Sequence, residues 1–239
     1  MFRHRGKTRT FKHNLQIASL LSFIAGIVNV AGFLSVQRLT TNVTGHFAFF
    51  IDEVFKLNLV QALSYFLYIF FFFLGSFVSS FLVEVISRRN RSSIYSIPVI
   101  IESVILAVVA LWGELTAFKH PDLLAFCLLF AMGLQNSLVT TISNAVVRTT
   151  HLTGLFTDLG IELSQLFFYK QEQQKNKLRS SIRLRLTIIN FFFLGGVAGG
   201  VFYSFIGLYE LLIAAVILIL GLVYDNVRIR LRLLKRRLS

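Results

Sequence analysis

The chain has 239 residues, of which 55% are hydrophobic, and it carries a formal net charge of +13 with a mean hydropathy of +0.72. Apolar runs of about 20 residues exclude an ordinary soluble domain and indicate an all-α, polytopic membrane protein. The basic residues lie between these runs and at both ends, which is typical of loops at a membrane surface and excludes nucleic acid as the partner. The one cysteine, Cys127, excludes an internal disulfide and a cysteine-based metal cluster.

Six apolar runs are predicted to cross the membrane within a single domain, residues 1–239. In chain order they cover residues 15–36, 60–86, 94–112, 123–147, 186–205 and 208–227. Basic tails are predicted over residues 1–13 and 228–239, and a basic loop over residues 170–185. The chain is therefore predicted to be bound by the lipid bilayer along most of its length.

Two breaks in the hydrophobic pattern have nearly the same sequence. Residues 40–45 read TTNVTG and residues 149–154 read TTHLTG, and an arginine precedes each, Arg38 and Arg148. A short helix is predicted after each break, over residues 44–57 and 153–168. The first would cover roughly 20 Å, less than the ~30 Å of a hydrocarbon core. Both short helices are therefore predicted to be re-entrant half-helices.

The positions of the basic residues predict the topology. With two re-entrant half-helices and six spans, both termini, the loop around Arg88, Arg89 and Arg91 and the loop 170–185 lie on one side. The positive-inside rule makes that side the cytoplasm, so the protein is predicted in the cell (inner) membrane with cytoplasmic termini. Full crossings by the short helices would place the three arginines outside.

An internal repeat is predicted between residues 15–114 and 122–231. GIVN at residues 26–29 matches GLQN at 133–136, FFFLG at 71–75 recurs at 191–195, and Glu102 corresponds to Glu210. Each half contains three predicted crossings, so the second half is inserted upside down relative to the first. This 3+3 inverted repeat is the plan of many channels and secondary transporters.

The chain resembles the YoaK family, the domain of unknown function numbered 1275. The residues that carry the resemblance are AGIVNVAGFL at 25–34, the NVTGH stretch at 42–46 and the six-span layout. The resemblance covers most of the chain. It implies an integral membrane protein whose activity is not established.

The start of each half-helix is predicted to bind substrate. Exposed backbone N–H groups and the positive end of the helix dipole attract an anion or a polar oxygen. Capping alone, by Asn42, Thr44, Thr150 and Thr153, is the alternative. The predicted substrate-binding residues are Asn29, Thr41, Asn42, Thr44, Gly45, His46, Asn136, Thr150, His151, Thr153 and Gly154.

Charged residues near the breaks are predicted to form ion pairs or to couple transport to protons. Arg38 and Arg148 are the expected partners of the carboxylates on the half-helices. The alternative is a purely structural ion pair, or an interfacial position from which the side chain reaches water. Glu102 and Glu210 are either proton-coupling groups or hydrogen-bonded acids. The predicted charge-pairing or coupling residues are Arg38, Asp52, Glu102, Arg148, Asp158, Glu162 and Glu210.

The sequence favours a transporter or channel for a small solute, with an anion or weak acid preferred. The alternative is a scaffold or sensor that binds a partner or anionic lipid through its basic loops. No nucleophile–base pattern, phosphate loop or zinc motif occurs, so no enzyme, metal or cofactor is predicted. A homo-oligomer is left open.

Overall fold

A computed structural model of the chain describes residues 9–89, 95–117 and 120–238. These residues form helices joined by short turns, with no strand among them. The helices are α1 Phe11–Val36, α2 Val43–Phe55, α3 Leu59–Arg89, α4 Ser96–Ala117, α5 Pro121–Ser143, α6 Leu152–Phe168, α7 Glu172–Ile206 and α8 Glu210–Leu238, with a 3₁₀ turn at Gly207–Tyr209. The all-α prediction is confirmed.

Five helical segments of the described chain are long and apolar enough to cross a membrane. They are Phe11–Val36, Leu59–Arg88, Ser96–Gly113, Pro121–Ser143 and Glu172–Asp225. The last is 54 residues long and includes α7 and the first part of α8. A continuous helix of that length would measure roughly 80 Å, but Gly207, with φ 57°, interrupts it. These segments make the chain a polytopic membrane protein.

The outer surface is strongly apolar, as lipid requires. On α3, the exposed phenylalanines Phe66, Phe70, Phe73, Phe77 and Phe81 are three or four residues apart and so lie on one helical face. Exposed patches of this kind mark membrane or protein contact. The most buried spans are α1 and α5, which form the centre of the bundle.

Close glycine contacts join α1 to α7 and α3 to α5. A Cβ added at Gly26 would clash with the carbonyl of Phe192, and one added at Gly133 would clash with the carbonyl of Phe72. Gly195 and Gly75 meet the carbonyls of Phe23 and Phe130 in the same way. The matching segments of the sequence therefore make matching contacts, and each pair of helices approaches backbone to backbone.

Both of these helix pairs run in parallel. Along α1 and α7, Phe23 lies against Gly195, Ile27 against Gly199 and Val30 against Gly200. The contacts advance in the same direction along both helices. Along α3 and α5, Tyr68 lies against Phe126 and Phe72 lies against Gly133. Residue numbers therefore rise in the same direction along both helices, so this pair is also parallel.

Several predicted boundaries were wrong. The predicted basic loop 170–185 is mostly helical, because α7 begins at Glu172. Its glutamines, lysines, arginines and leucines are good helix formers, and no glycine or proline interrupts them. The tail after residue 228 also continues as helix, to Leu238. Conversely, α5 ends at Ser143 rather than 147, because Asn144 and Ala145 have positive φ.

Some predictions concern residues outside the described ones. They are residues 1–8 of the amino-terminal tail, Arg91 of the predicted arginine loop, Lys119 between the fourth and fifth helices, and Ser239.

Candidate functional site

Both breaks begin with the same backbone change. Helix α1 is followed by Gln37 and α5 by Asn144, and both residues are left-handed, with φ of 56° and 53°. This conformation stops a helix by redirecting the chain, and among residues other than glycine asparagine is one of those that adopt it most readily. The two breaks therefore leave their parent helices in the same way.

Each break is tied back to its parent helix by the same hydrogen bond. The Thr41 hydroxyl donates to Asn29 Oδ1 over 2.7 Å, and the Thr150 hydroxyl donates to Asn136 Oδ1 over 2.9 Å. Thr40, which is fully buried, also donates to the carbonyl of Val28 over 3.1 Å. Asn29 and Asn136 thus position the breaks, and their threonine partners are occupied by these bonds.

The two half-helices begin differently. The Asn42 side chain accepts a hydrogen bond from the Gly45 N–H over 3.0 Å and so caps α2. At the same position before α6, the His151 ring lies directly over Gly154, where a Cβ would clash with it. Within the described chain, the hydroxyls of Thr44 and Thr153 have no hydrogen-bond partner. The capping alternative thus holds for Asn42, and substrate contact by Thr44 and Thr153 stays a prediction.

One cavity of about 890 Å³ is lined by both breaks; we call it the central cavity. Its polar lining is supplied by the parent helices and by the starts of both half-helices, and its apolar lining includes Phe72 and Phe192. The predicted site residues that line it are Asn29, Thr41, Asn42, Thr44, Gly45, Asn136, Arg148, Thr150, His151 and Thr153. The structure therefore brings most of the predicted substrate-binding residues together.

A second cavity, of about 370 Å³, adjoins the first along α6 and α7; we call it the side cavity. Arg148 and His151 line both cavities. Gly154 and Asp158 line the side cavity and not the central one, as does Arg185. Arg148 and His151 therefore lie where the two cavities meet.

The carboxylates of α6 pair with a residue that the sequence analysis did not select. Arg185 Nη1 lies 2.9 Å from Asp158 Oδ2, and Arg185 Nε lies 2.8 Å from Glu162 Oε2. Ser181 also donates to Glu162 over 2.6 Å. Arg148 was the expected partner, and this expectation was wrong, because α7 extends far enough to bring Arg185 against the polar face of α6.

The other predicted arginine pair was also wrong. Arg38 Nε donates to the Tyr68 hydroxyl over 2.9 Å, and that hydroxyl donates in turn to Asp122 at the start of α5. The carboxylate Asp52 instead accepts from Lys56 over 2.6 Å at the exposed end of α2, and this hydrogen bond raises the pKa of the Lys56 ammonium.

His46 belongs to the same cluster as Arg38 and Tyr68, not to the central cavity. It is only 3% exposed, its Nε2 lies 2.8 Å from the carbonyl of Leu39, and its ring centre lies 4.9 Å from that of Tyr68. Tyr68 and Asp122 were missed by the sequence analysis. Tyr68 lies within an apolar run, and Asp122 follows Pro121, where an acidic residue is ordinary at a helix start.

Glu102 and Glu210 are fully buried, on α4 and at the start of α8. Neither lines the central or the side cavity. Glu210 lies against Gly199 of α7, and the two carboxyl oxygens of Glu102 have no hydrogen-bond partner among the residues that the structure describes. Their role in proton coupling stays a prediction.

No cluster of three or more histidine, cysteine, aspartate or glutamate side chains in the described ranges is arranged to hold a metal ion.

Comparison with known proteins gives a family but no solved structure. The family described as "Protein of unknown function (DUF1275)" matches residues 17–224. The UPF0700 transmembrane protein YoaK of Bacillus subtilis (strain 168) is 28% identical over 174 residues, which are 72% of this chain and 77% of that protein. No solved structure matches the chain.

Proposed function

We propose a function from the premise that the chain belongs to the DUF1275 family of transmembrane proteins. It is a transporter or channel that binds a small solute in the central cavity. The supporting observation is that two unwound breaks, one from each half of the chain, line one cavity with threonine hydroxyls that have no partner in the described residues. Irregular backbone at membrane depth is stable only where protein, water or a ligand satisfies it.

We further propose six crossings arranged as 3+3 inverted repeats, residues 15–114 and 122–231. At 13 and 17 residues, α2 and α6 measure roughly 20 and 26 Å, which favours re-entrant half-helices. The parallel packing of α1 with α7 and of α3 with α5 agrees with this topology, in which each pair crosses in the same direction. The repeated Thr41–Asn29 and Thr150–Asn136 bonds support the internal symmetry.

Both termini then lie in the cytoplasm, and the protein is in the cell (inner) membrane. Reporter fusions at each end test this orientation. Activity at either terminus of a reporter that works only outside the cell membrane would contradict the cytoplasmic orientation.

The two halves differ in a way that supports alternating access. The side cavity lies between α6 and α7, next to Leu155 and Ile188. The matching positions in the first half are His46 and Tyr68, which line neither cavity and whose ring centres lie 4.9 Å apart. We infer that the described conformation is open beside α6 and closed beside α2, and that transport exchanges these two arrangements.

Flux into liposomes tests the proposed function. The full-length protein is reconstituted, and uptake of a panel of small anions, cations and neutral polar solutes is compared with protein-free liposomes. We expect protein-dependent, saturable uptake of at least one solute class. No uptake of any solute by protein that is folded and inserted would favour the scaffold alternative.

A further inference from the structure

Arg148 gives the central cavity its electrostatic character. Its side chain is exposed to the cavity, and within the described ranges it forms no ion pair and no side-chain hydrogen bond. The cavity lining contains no aspartate or glutamate. Its other titratable side chain, His151, carries either no charge or a positive one. Among the described residues, the lining therefore has an excess of positive charge and no counter-charge.

The nearest candidate counter-charges are already engaged. Asp158 lines the side cavity, but it pairs with Arg185 at 2.9 Å. Glu162 pairs with the same guanidinium. On the other half-helix, Asp52 pairs with Lys56 at the far end from the cavity. A charged group at membrane depth is costly without a partner, so an anion in the central cavity would stabilise Arg148.

The positive charge is present on one side of the cavity only. Arg148 directly precedes Thr149-Thr150 in the second break, and the residue in the same place before Thr40-Thr41 is Leu39. Leu39 also lines the central cavity, together with the apolar Val43, Phe72 and Phe192. The cavity thus offers one guanidinium together with several apolar lining residues. Such an arrangement matches a ligand with one anionic group and an apolar body.

We propose that the central cavity binds a small monovalent organic anion, whose charged group contacts Arg148 and whose apolar part lies towards Leu39. This inference rests on the proposed transport function and names its substrate class. A guanidinium presents several N–H donors in a planar fork, which suits carboxylate-like and sulfonate-like oxygens. A dianion would place its second charge against apolar residues, and a cation would be repelled.

The test uses four probes of similar size in proteoliposomes of the full-length protein. They are butanesulfonate, butane-1,4-disulfonate, butyltrimethylammonium and the neutral erythritol; the charged ones keep their charge at all working pH values and so cross lipid slowly. We expect uptake of butanesulfonate at least about tenfold above that of the dianion and the cation. If the protein takes up erythritol or butyltrimethylammonium but not butanesulfonate, the inference about the substrate class is overturned, whereas the proposed transport function is retained. No uptake of any of the four probes would also overturn the inference, and the broader solute panel described above then decides whether the protein transports at all.

Substitutions then test Arg148 directly. In Arg148→Gln we expect butanesulfonate uptake to fall at least about tenfold, because the charged hydrogen bonds are lost. The matched control is Arg183→Gln, on the exposed face of α7 and outside both cavities, which should leave uptake within about twofold of the original. Normal butanesulfonate uptake by Arg148→Gln would overturn the proposal.

Variants that move the positive charge to the opposite break, or add a second one, separate an effect on anion binding from an effect on folding. Leu39→Arg combined with Arg148→Gln places the single cation on the opposite break, and we expect it to restore butanesulfonate uptake. Leu39→Arg alone puts two cations in the cavity and should raise the uptake ratio of disulfonate to monosulfonate. If Arg148→Gln fails to fold, this ratio still decides the question, and an unchanged ratio would contradict the assignment.

Discussion

Threonine and asparagine side chains serve two different purposes at the breaks. Thr41 and Thr150 are held by Asn29 and Asn136 and so fix the backbone. Thr44 and Thr153, which line the central cavity, have hydroxyls without a partner in the described residues. The first pair is structural, and we propose that the second pair contacts the solute.

Arg185 should be important for stability because it compensates two carboxylates. In Arg185→Gln, Asp158 and Glu162 lose their common guanidinium, and we expect the free energy of unfolding to fall by about 1–2 kcal/mol. The measurement is thermal unfolding of the purified protein in detergent. Arg183→Gln, an exposed change on the same helix, should have an effect within about 0.5 kcal/mol. An equal loss of unfolding free energy in the two variants would show that the ion pairs between α6 and α7 do not stabilise the protein.

Residue identities predicted the polar lining of the cavity better than they predicted the charge pairs. A Thr-Gly break is visible locally because it interrupts an apolar run, and its duplication points to a shared site. Partners such as Arg185 and Tyr68 depend on which turns of neighbouring helices face each other. That register is not encoded in the spacing around Asp158 or Arg38, so both expected arginine pairs were wrong.

At the scale of the elements, two parallel helix pairs hold the breaks in place. The parent helices α1 and α5 lie at the centre of the bundle, and each contacts a long helix from the other half of the chain at glycine. Short FFFLG and GIVN-like matches in the sequence correspond to these contacts. The sequence predicts the helices and most of their ends but not the amino-terminal extension of α7, because the charged residues of that extension lie outside the apolar run and are typical of a surface loop.

Enlarging the contact glycines should separate the helix pairs. In Gly26→Ala or Gly133→Ala the new methyl group meets a backbone carbonyl, which cannot move without moving its helix. We expect the free energy of unfolding to fall by about 1–3 kcal/mol or more. Gly160→Ala on α6 is the control, since no atom lies within 4 Å of the added Cβ; better helix propensity should leave it as stable or up to about 1 kcal/mol more stable. Unaltered stability in both contact variants would contradict the close packing.

The difference between the side cavity and its closed counterpart should be visible as thiol accessibility. With Cys127→Ser as the background, Leu155→Cys and His46→Cys occupy matching positions that are 5% and 3% exposed, and of the two only Leu155 lines the side cavity. We expect a water-soluble methanethiosulfonate reagent to modify Leu155→Cys at least about tenfold faster. Faster modification of His46→Cys would mean that the other side is open.

At the scale of the whole molecule, the proposal depends on two halves that share one cavity. Hydropathy predicted a polytopic helical protein, and the duplicated motif predicted where the cavity would form. The motif did not predict which side is open, because that depends on the contact of His46 with Tyr68 in one half and on the cavity beside Leu155 and Ile188 in the other. The identity of the solute is a question of charge and shape inside the cavity, which local spacing does not specify.

The most direct measurement is solute flux by the double variant Thr44→Val, Thr153→Val in proteoliposomes. Valine keeps the shape of threonine and removes one hydroxyl from each half-helix start, so the central cavity loses two hydrogen-bonding groups without losing its walls. We expect uptake to fall at least about fivefold while the protein remains folded in the membrane. Thr157→Val, on α6 and outside both cavities, should keep the original rate. Normal uptake by the double variant would contradict the account, since the paired breaks would then not form the solute site.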